Sequence, residues 1–478
     1  DDVTPLRFVG ACVKGHLQDI DWRWLLHRGE PCQEPMYLIE EGTSASLSDL
    51  EILCSCSQSL SLRDATRPGR LGECAGRQPW LGDGAVEQCT KLLKLLTRSA
   101  TNAYFPQVVS VISLPVEEDA LTEIVQRHFA DLSDAGSAAE IGQARKFNRA
   151  LRMDFEGYSD ADVFDRLRQI RASAGRDAQT NPKVREFDVL ASGESEIGVN
   201  ASDARLYAKT LPRDSWDKPV KRNLGAIRSV VAVHRLREVM CLYGFTRFEP
   251  AATEADSDLE DIQLAVEGAP IAQHADWLPA IEQFGEGLFI HFDTVAIDRW
   301  ALRPEVVHRI SVLTDGFQAH RKRFPGSTEQ HFPGGPYVLL HSLAHALITE
   351  IALDCGYPAS SLKERIYAFP ASPGSPARYG ILIYTAATGA QGTLGGLVSR
   401  VDHIAGTIDR ALDRLSICSN DPVCADHDPG DAIDARSLLG AACHGCLLIA
   451  ETSCERRNNF LDRALLVETM AESGSRLF

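Results

Sequence analysis

At 478 residues the chain is too long for one ordinary domain, and its balance of 44% hydrophobic and 24% charged residues excludes a disordered polymer. A formal net charge of −17 disfavours nucleic-acid binding by bulk charge, so any DNA contact must come from a local basic surface. No run reaches roughly 18 uninterrupted apolar residues, so no membrane span is predicted.

Residues 1–105 read as short strands and turns, with "MYLIEE" and "LEILCSC" the clearest strands. Such a small, turn-rich module buries little core, so metal crosslinks make physical sense there. Six cysteines fall in it: Cys12, Cys32, Cys54, Cys56, Cys74 and Cys89. Cys12, Cys32, Cys54 and Cys56 are the expected ligand set of one site, with His16 competing for the place of Cys32. Cys74 and Cys89 either extend that site or pack.

Residues 106–215 read as a mainly helical middle region. Leu121, Ile124, Val125 and Phe129 recur at helical spacing, and Ala144 to Arg171 is charged and amphipathic. From about 176 to 215 the sequence is polar, with strand-like runs.

Residues 216–330 read as a mixed α/β region opening on a helix, "IRSVVAVHRLREVMCLYGFTRFEP". "LEDIQLAVEG" and "GEGLFIHFDTVAI" follow as strands. Basic residues gather here: Lys218, Lys221, Arg222, Arg228, Arg235 and Arg237, then Arg321, Lys322 and Arg323. With Arg456 and Arg457 near the C-terminus they form the candidate nucleic-acid surface. Phosphate contacts dominate such affinity; the competing reading is a solvated face balanced by nearby acids.

Residues 331–478 read as a C-terminal four-cysteine domain. "PYVLLHSLAHALITEIALDCGY" is the strongest helix of the chain, with proline at its start and glycine just past its end. "YGILIYTAATGAQGTLGGL" is a buried strand running into a glycine-rich loop, and "VDHIAGTIDRALDRLSIC" is a helix. His341 and His345 stand i, i+4 on one face, but Ser342 occupies the position of the catalytic Glu in HExxH. A packed, hydrogen-bonded pair is the commoner outcome; as a metal pair it would need Glu350 or Glu364.

The second cysteine cluster follows, as Cys418-x5-Cys424 and Cys443-x2-Cys446, with Cys454 beyond. A CxxC sets two thiolates on one tight turn, and a second pair beside it closes a tetrahedral zinc site. Cys454 or His427 could replace one arm. A redox CxxC would not need the other cysteines. Cys241 and Cys355 read as core residues of apolar segments.

Thirteen cysteines, an odd number without a secretory leader, point to a reducing, cytoplasmic compartment and to thiolates used as ligands. The fold class expected is α+β and multidomain, with a zinc-ribbon-like N-terminal module and a mixed α/β C-terminal zinc domain. The sequence contains no GxxxxGK[ST], so a P-loop motor is not expected within it.

Several segments together resemble one family. They include "ACVKGHLQDIDWRWLLH", "TRSATNAYFPQVVSVISLP", "HRLREVMCLYGFTRFEP", "FGEGLFIHFD", "LLHSLAHALITEIALDCGY", "ILIYTAATGAQGTLGGL" and "ACHGCLLIAETSCERRNNFLDRALL". They look like DrmB, a component of the bacterial DISARM anti-phage system. The C-terminal part is similar to the four-cysteine zinc domain of MrfA-type helicases. The resemblance implies a non-catalytic subunit that pairs with the DrmA helicase and helps the pair engage DNA. It matches Cys418, Cys424, Cys443 and Cys446 to the family's C-terminal zinc cysteines, and Cys12, Cys32, Cys54 and Cys56 to its cysteine-rich N-terminal region; two Zn²⁺ ions are expected. The chain opens on Asp1, without the short segment the family carries before "PLRFVGAC", and the stretch from 176 to 215 is short. Two other readings compete: a metal-dependent hydrolase or nuclease centred on His341 and His345, and a pure DNA-binding module.

Overall fold

The structure, a computed structural model, describes residues 7–40, 46–115, 120–177, 181–201, 204–248, 268–273, 277–323, 331–385, 396–431, 436 and 438–478. Most of "LEDIQLAVEG" and the glycine-rich loop after residue 385 lie outside these.

The N-terminal module alternates short strands with turns. Its elements are β1 (Phe8–Ala11), β2 (Leu17–Gln18), α1 (Trp22–His27), β3 (Met36–Glu40), β4 (Leu50–Cys54), β5 (Ser59–Ser61), α2 (Leu62–Ala65) and β6 (Lys94–Thr97). They form two antiparallel three-stranded sheets, β2-β1-β6 and β3-β4-β5. The core beneath is small: Phe8, Leu25, Leu50 and Leu62, with Cys12, Cys54 and Cys74 among them. Cysteines buried in so thin a core are placed to supply the missing cohesion.

After β7 (Phe105–Ile112) comes a helical unit of α3 (Ala120–Arg127), α4 (Phe129–Leu132), α5 (Ala138–Phe147), α6 (Arg149–Asp154) and α7 (Asp160–Asp177). The predicted apolar spacing is visible in its separate core of Leu121, Val125, Ile141, Leu151, Phe155, Val163 and Leu167. The chain then returns through α8 (Pro182–Leu190), β8 (Glu196–Gly198), β9 (Leu206–Thr210) and α9 (Arg213–Trp216). The polar stretch therefore opens on a helix, started by Pro182 and capped by the Asn181 side chain, before its strands begin.

The segment read as an arginine-rich helix is a strand, β10 (Ile227–Thr246), 20 residues long. Its β-branched Ile227, Val230, Val231, Val233 and Val239 favour the pleated surface. Alternate residues feed opposite cores: Val230 and Ala232 one, Val231 and Val233 the other. Strand periodicity wins because both faces are covered. β10 pairs antiparallel with β12 (Ala280–Phe292) along one edge, and with β9 and then β7 along the other; β11 (Ala269–Pro270) pairs near its end. β13 (Leu362–Phe369) and β14 (Arg378–Thr385) complete an eight-stranded sheet of order β13-β14-β12-β10-β9-β8. The expected boundaries at 215 and 330 thus fall inside one sheet.

One face of this sheet carries α10 (Thr294–Ala301), α11 (Pro304–Arg323), α12 (Gly335–Cys355) and α13 (Ile404–Leu415), together with the C-terminal segment, around the largest core. α12 is long and apolar enough to cross a membrane by composition alone, yet it runs through the middle of this core. A helix that is apolar on all sides is the one a large core requires. Pro336 opens it and Gly356, at φ 70°, ends it in the left-handed conformation.

Candidate metal centres

Among the described residues, four groups of His, Cys and Glu bring one ligand atom each to within 4.8 Å of one another. Four sulfurs at about 2.3 Å from a tetrahedral zinc lie about 3.8 Å apart, which provides a test of fit.

The C-terminal group is Cys418, Cys424, Cys443 and Cys446. Its Sγ separations are 3.4 Å for Cys418–Cys443 and 3.8 Å for both Cys424–Cys446 and Cys443–Cys446. Backbone N–H groups of Asn420 and Gly445 donate to Cys418 and Cys443 at 3.4 and 3.3 Å. Such bonds stabilise thiolates by partly neutralising sulfur charge. Hydrogen bonding from Cys446 and the nearby Arg463 guanidinium draw the Cys424 thiol down to about 6. Arg463 is fully buried, pairs with Asp421 and donates to Leu415 O at 2.8 Å. The donor set and spacing fit a closed Cys₄ zinc site. His427 is engaged elsewhere, its Nε2 lying 3.0 Å from Arg436 O.

The expected N-terminal grouping of Cys12, Cys32, Cys54 and Cys56 is corrected. The structure places Cys12 with His16, Cys74 and Cys89, and it places Cys32, Cys54 and Cys56 with His27. The two sets are nested along the chain, because β1 pairs with β6 and closes the ends of the module over the middle hairpin. In the outer set, His16 Nδ1 lies 3.4 Å from Cys12 Sγ and 3.5 Å from Cys74 Sγ, and Cys12 Sγ is 4.0 Å from Cys89 Sγ. Glu87 Oε1 lies 2.9 Å from His16 Nε2, the carboxylate–histidine arrangement that orients ligating imidazoles. Burial pushes the Cys74 thiol up to about 12, so in this set the thiolate depends on a cation being present. In the inner set, Cys32 and Cys54 sulfurs are 3.7 Å apart, and Cys56 Sγ is 3.9 Å from His27 Nδ1. Ser57, at φ 75°, makes the turn that brings Cys56 back beside Cys54. Both sets are Cys₃His, a usual structural zinc donor set. His16, weighed from the sequence as a competing ligand, does stand with Cys12, whereas His27 was missed; the signal was a surplus of cysteines, six where one site takes four.

The fourth group is His341, His345, Glu364 and Cys454. The histidines are a buried, hydrogen-bonded pair, as expected, with Glu364 and Cys454 gathered beside them, and Cys454 is not an arm of the Cys₄ set. Glu350, the other acid considered, is taken up by Arg410 Nε at 2.8 Å and Arg414 Nη1 at 3.1 Å.

Several of the basic residues are engaged within the protein. Arg222 bonds Asp409 at 3.0 Å and Asp413 at 2.7 Å, Arg235 donates to Ala201 O, and buried Arg456 lies over the Tyr337 and Phe460 rings. Lys221 pairs with Asp413 at 2.7 Å and Arg237 with Glu282 at 3.0 Å. Arg228 is exposed on β10, and Arg321 and Arg323 are exposed at the end of α11. Arg457, half-buried, adopts φ 52° in the C-terminal segment.

Comparison with known proteins adds three findings. Residues 343–447 match the family described as the MrfA Zn-binding domain, and residues 1–105 match a domain of unknown function, DUF8724. The chain is 30% identical over 493 residues to the DISARM protein DrmB of Bacillus paralicheniformis, covering 99% of this chain and 82% of that one. The DUF1998 helicase MrfA, solved bound to DNA, aligns over 50% of this chain and 23% of its own at 10% identity and a TM-score of 0.22, too low to bear on the fold.

Proposed function

We propose, since the chain belongs to the DrmB family of DISARM proteins, that it is a non-catalytic accessory subunit which pairs with a DrmA-like helicase in cytoplasmic anti-phage defence. Zinc holds its two ends in shape, and its DNA contact is made through the complex. The observation that carries this reading is closure. One Cys₄ and two Cys₃His sets each supply four donors, leaving no coordination position for a substrate or water. The expected metal content from these sets is three zinc ions rather than two. With no P-loop sequence in the chain, ATP turnover falls to the partner. A net charge of −17, with Arg222, Arg235 and Arg456 already committed inside the protein, supports DNA engagement by the pair rather than by the chain alone.

The competing hydrolase reading, centred on His341 and His345, needs a substrate to reach them. Both side chains are 0% exposed, as is that of Glu364, which argues against it. The test is co-expression with a DrmA-like helicase, followed by ATPase and DNA-binding assays on the purified pair. The reading expects a stable complex whose ATPase vanishes on mutating the helicase's ATP site, and no metal-dependent DNA cleavage by the isolated chain. No complex, together with metal-dependent DNA cleavage by the isolated chain, would sink it.

A further inference from the structure

The group at His341, His345, Glu364 and Cys454 is the most deeply buried of the four, and it lies where no surface chemistry needs it. We infer that it is a fourth, separate metal site, a closed His₂-Glu-Cys centre for zinc that joins the core helix to the central sheet and the C-terminal segment.

The fold aims four donors at one point. His341 and His345 stand one turn apart on α12, with ring centroids 4.5 Å apart and planes at 83°. Glu364 shares with Leu362 and Ile366 the face of β13 that meets α12. Cys454 arrives from the C-terminal segment. Glu364 Oε1 lies 2.9 Å from His341 Nε2 and 3.3 Å from His345 Nε2, and Cys454 Sγ lies 3.1 Å from His341 Nε2. Donors around a tetrahedral zinc, at about 2.0 Å for N or O and 2.3 Å for S, lie about 3.3–3.5 Å apart. The cluster sits slightly inside that spacing.

Hydrogen bonding fixes which nitrogens are free to ligate. His341 Nδ1 is 3.2 Å from Phe460 O, and His345 Nδ1 is 2.8 Å from Leu447 O. A carbonyl oxygen only accepts, so each Nδ1 carries the proton and each neutral ring turns an Nε2 lone pair toward the same carboxylate oxygen. That oxygen already accepts the Glu455 N–H at 3.1 Å, while Glu364 Oε2 is buried without a hydrogen-bond partner among the described residues. Without a cation, one protonated ring can pair with the carboxylate, but the other Nε2 lone pair then still faces that oxygen in a dry core, and protonating both rings buries two imidazolium ions beside one carboxylate. A divalent cation resolves this, since its two positive charges are matched by one carboxylate and one thiolate.

Cys454 carries the local signature of the other sites. The N–H groups of Arg456 and Asn458 donate to its sulfur at 3.3 and 3.1 Å, as those of Asn420, Gly445 and Gly76 do to Cys418, Cys443 and Cys74. His341 and Cys454 both lie outside the segment matched to the MrfA Zn-binding domain, so this centre is additional to that domain's cysteines.

The test is metal content of the purified full chain by mass spectrometry, with Glu364→Gln and Cys446→Ser compared. Glu364→Gln keeps the shape and an oxygen but removes the charge. It is expected to lose one zinc equivalent, distinct from the equivalent lost by Cys446→Ser, and the double variant to lose two. A folded Glu364→Gln protein with wild-type zinc content would overturn the site. Should that variant not fold, anomalous scattering at the zinc edge from wild-type crystals decides: a peak among the four donor atoms supports the site. A peak at the Cys₄ set with none here refutes it.

Discussion

Single side chains carry the sharpest consequences. If the N-terminal cysteines serve two nested sites, Cys89→Ser and Cys56→Ser should each cost one zinc equivalent, and the pair two, as read by metal analysis. Under the single-site grouping, Cys89→Ser would leave the zinc content unchanged. His291 offers a pH test. It packs against the Phe187 and Phe289 rings, and burial, with Arg228 adding, pulls it from 6.5 down to about 4. The folded-state value lies below the unfolded one, so its stabilising effect is full above about 6.5. As pH falls toward 4 the unfolded chain takes up a proton that the fold refuses, and the effect is lost. Wild type should lose about 2 kcal/mol more than His291→Phe between about pH 7 and about pH 5 in denaturant melts. Equal losses would mean that His291 is not buried neutral. The sequence could name the C-terminal ligands because CxxC is a local geometry. It could not pair Cys12 with Cys74 and Cys89, add Cys454 to His341, or choose Glu364 over Glu350, because strand pairing and helix packing bring those residues together from far along the chain.

At the scale of elements, β10 shows how a helical reading fails. Its arginines give a charged, helix-like texture, but the valines between them alternate into two cores, and burial decides. That change of element also engages two members of the expected basic surface, since Arg235 donates to Ala201 O and Arg237 pairs with Glu282. α12 was legible because its caps and unbroken apolar character both point to a buried helix. Close strand approach gives a direct test. A Cβ on Gly285 would stand 1.6 Å from Thr385 O, so β12 and β14 would have to part there. Gly285→Ala should therefore lower stability by about 3 kcal/mol or more by thermal or chemical melts. A change under about 0.5 kcal/mol would refute the register of that pair.

For the whole molecule, charge and cohesion pull in different directions. The isolated chain, at −17, should bind duplex DNA only weakly and lose that binding steeply with salt, whereas the proposed pair with a helicase should retain it. Fluorescence anisotropy across a salt series checks this, and tight, salt-tolerant binding by the chain alone would contradict it. Arg456→Ala is expected to lower melting stability by about 1–2 kcal/mol through its lost contacts with Tyr337 and Phe460. DNA affinity of the pair should be unchanged at temperatures where the variant is folded. A long-range ion pair follows the same logic: Lys183, buried at the start of α8, meets Glu455 at 3.0 Å beside Cys454 and joins distant parts of the chain.

The central sheet has a further consequence in time. β7 leaves the ribosome early, but its partner β10 follows more than a hundred residues later, and β14, which joins the β12 side, later still. The N-terminal module, whose strand pairs and both ligand sets are complete within the first hundred residues, can close around metal while the rest is still being made. The sheet cannot. During synthesis β7 is an unpaired edge waiting for its neighbour, which makes the interval between those strands the stretch where the growing chain is most exposed to misassociation and to chaperone capture.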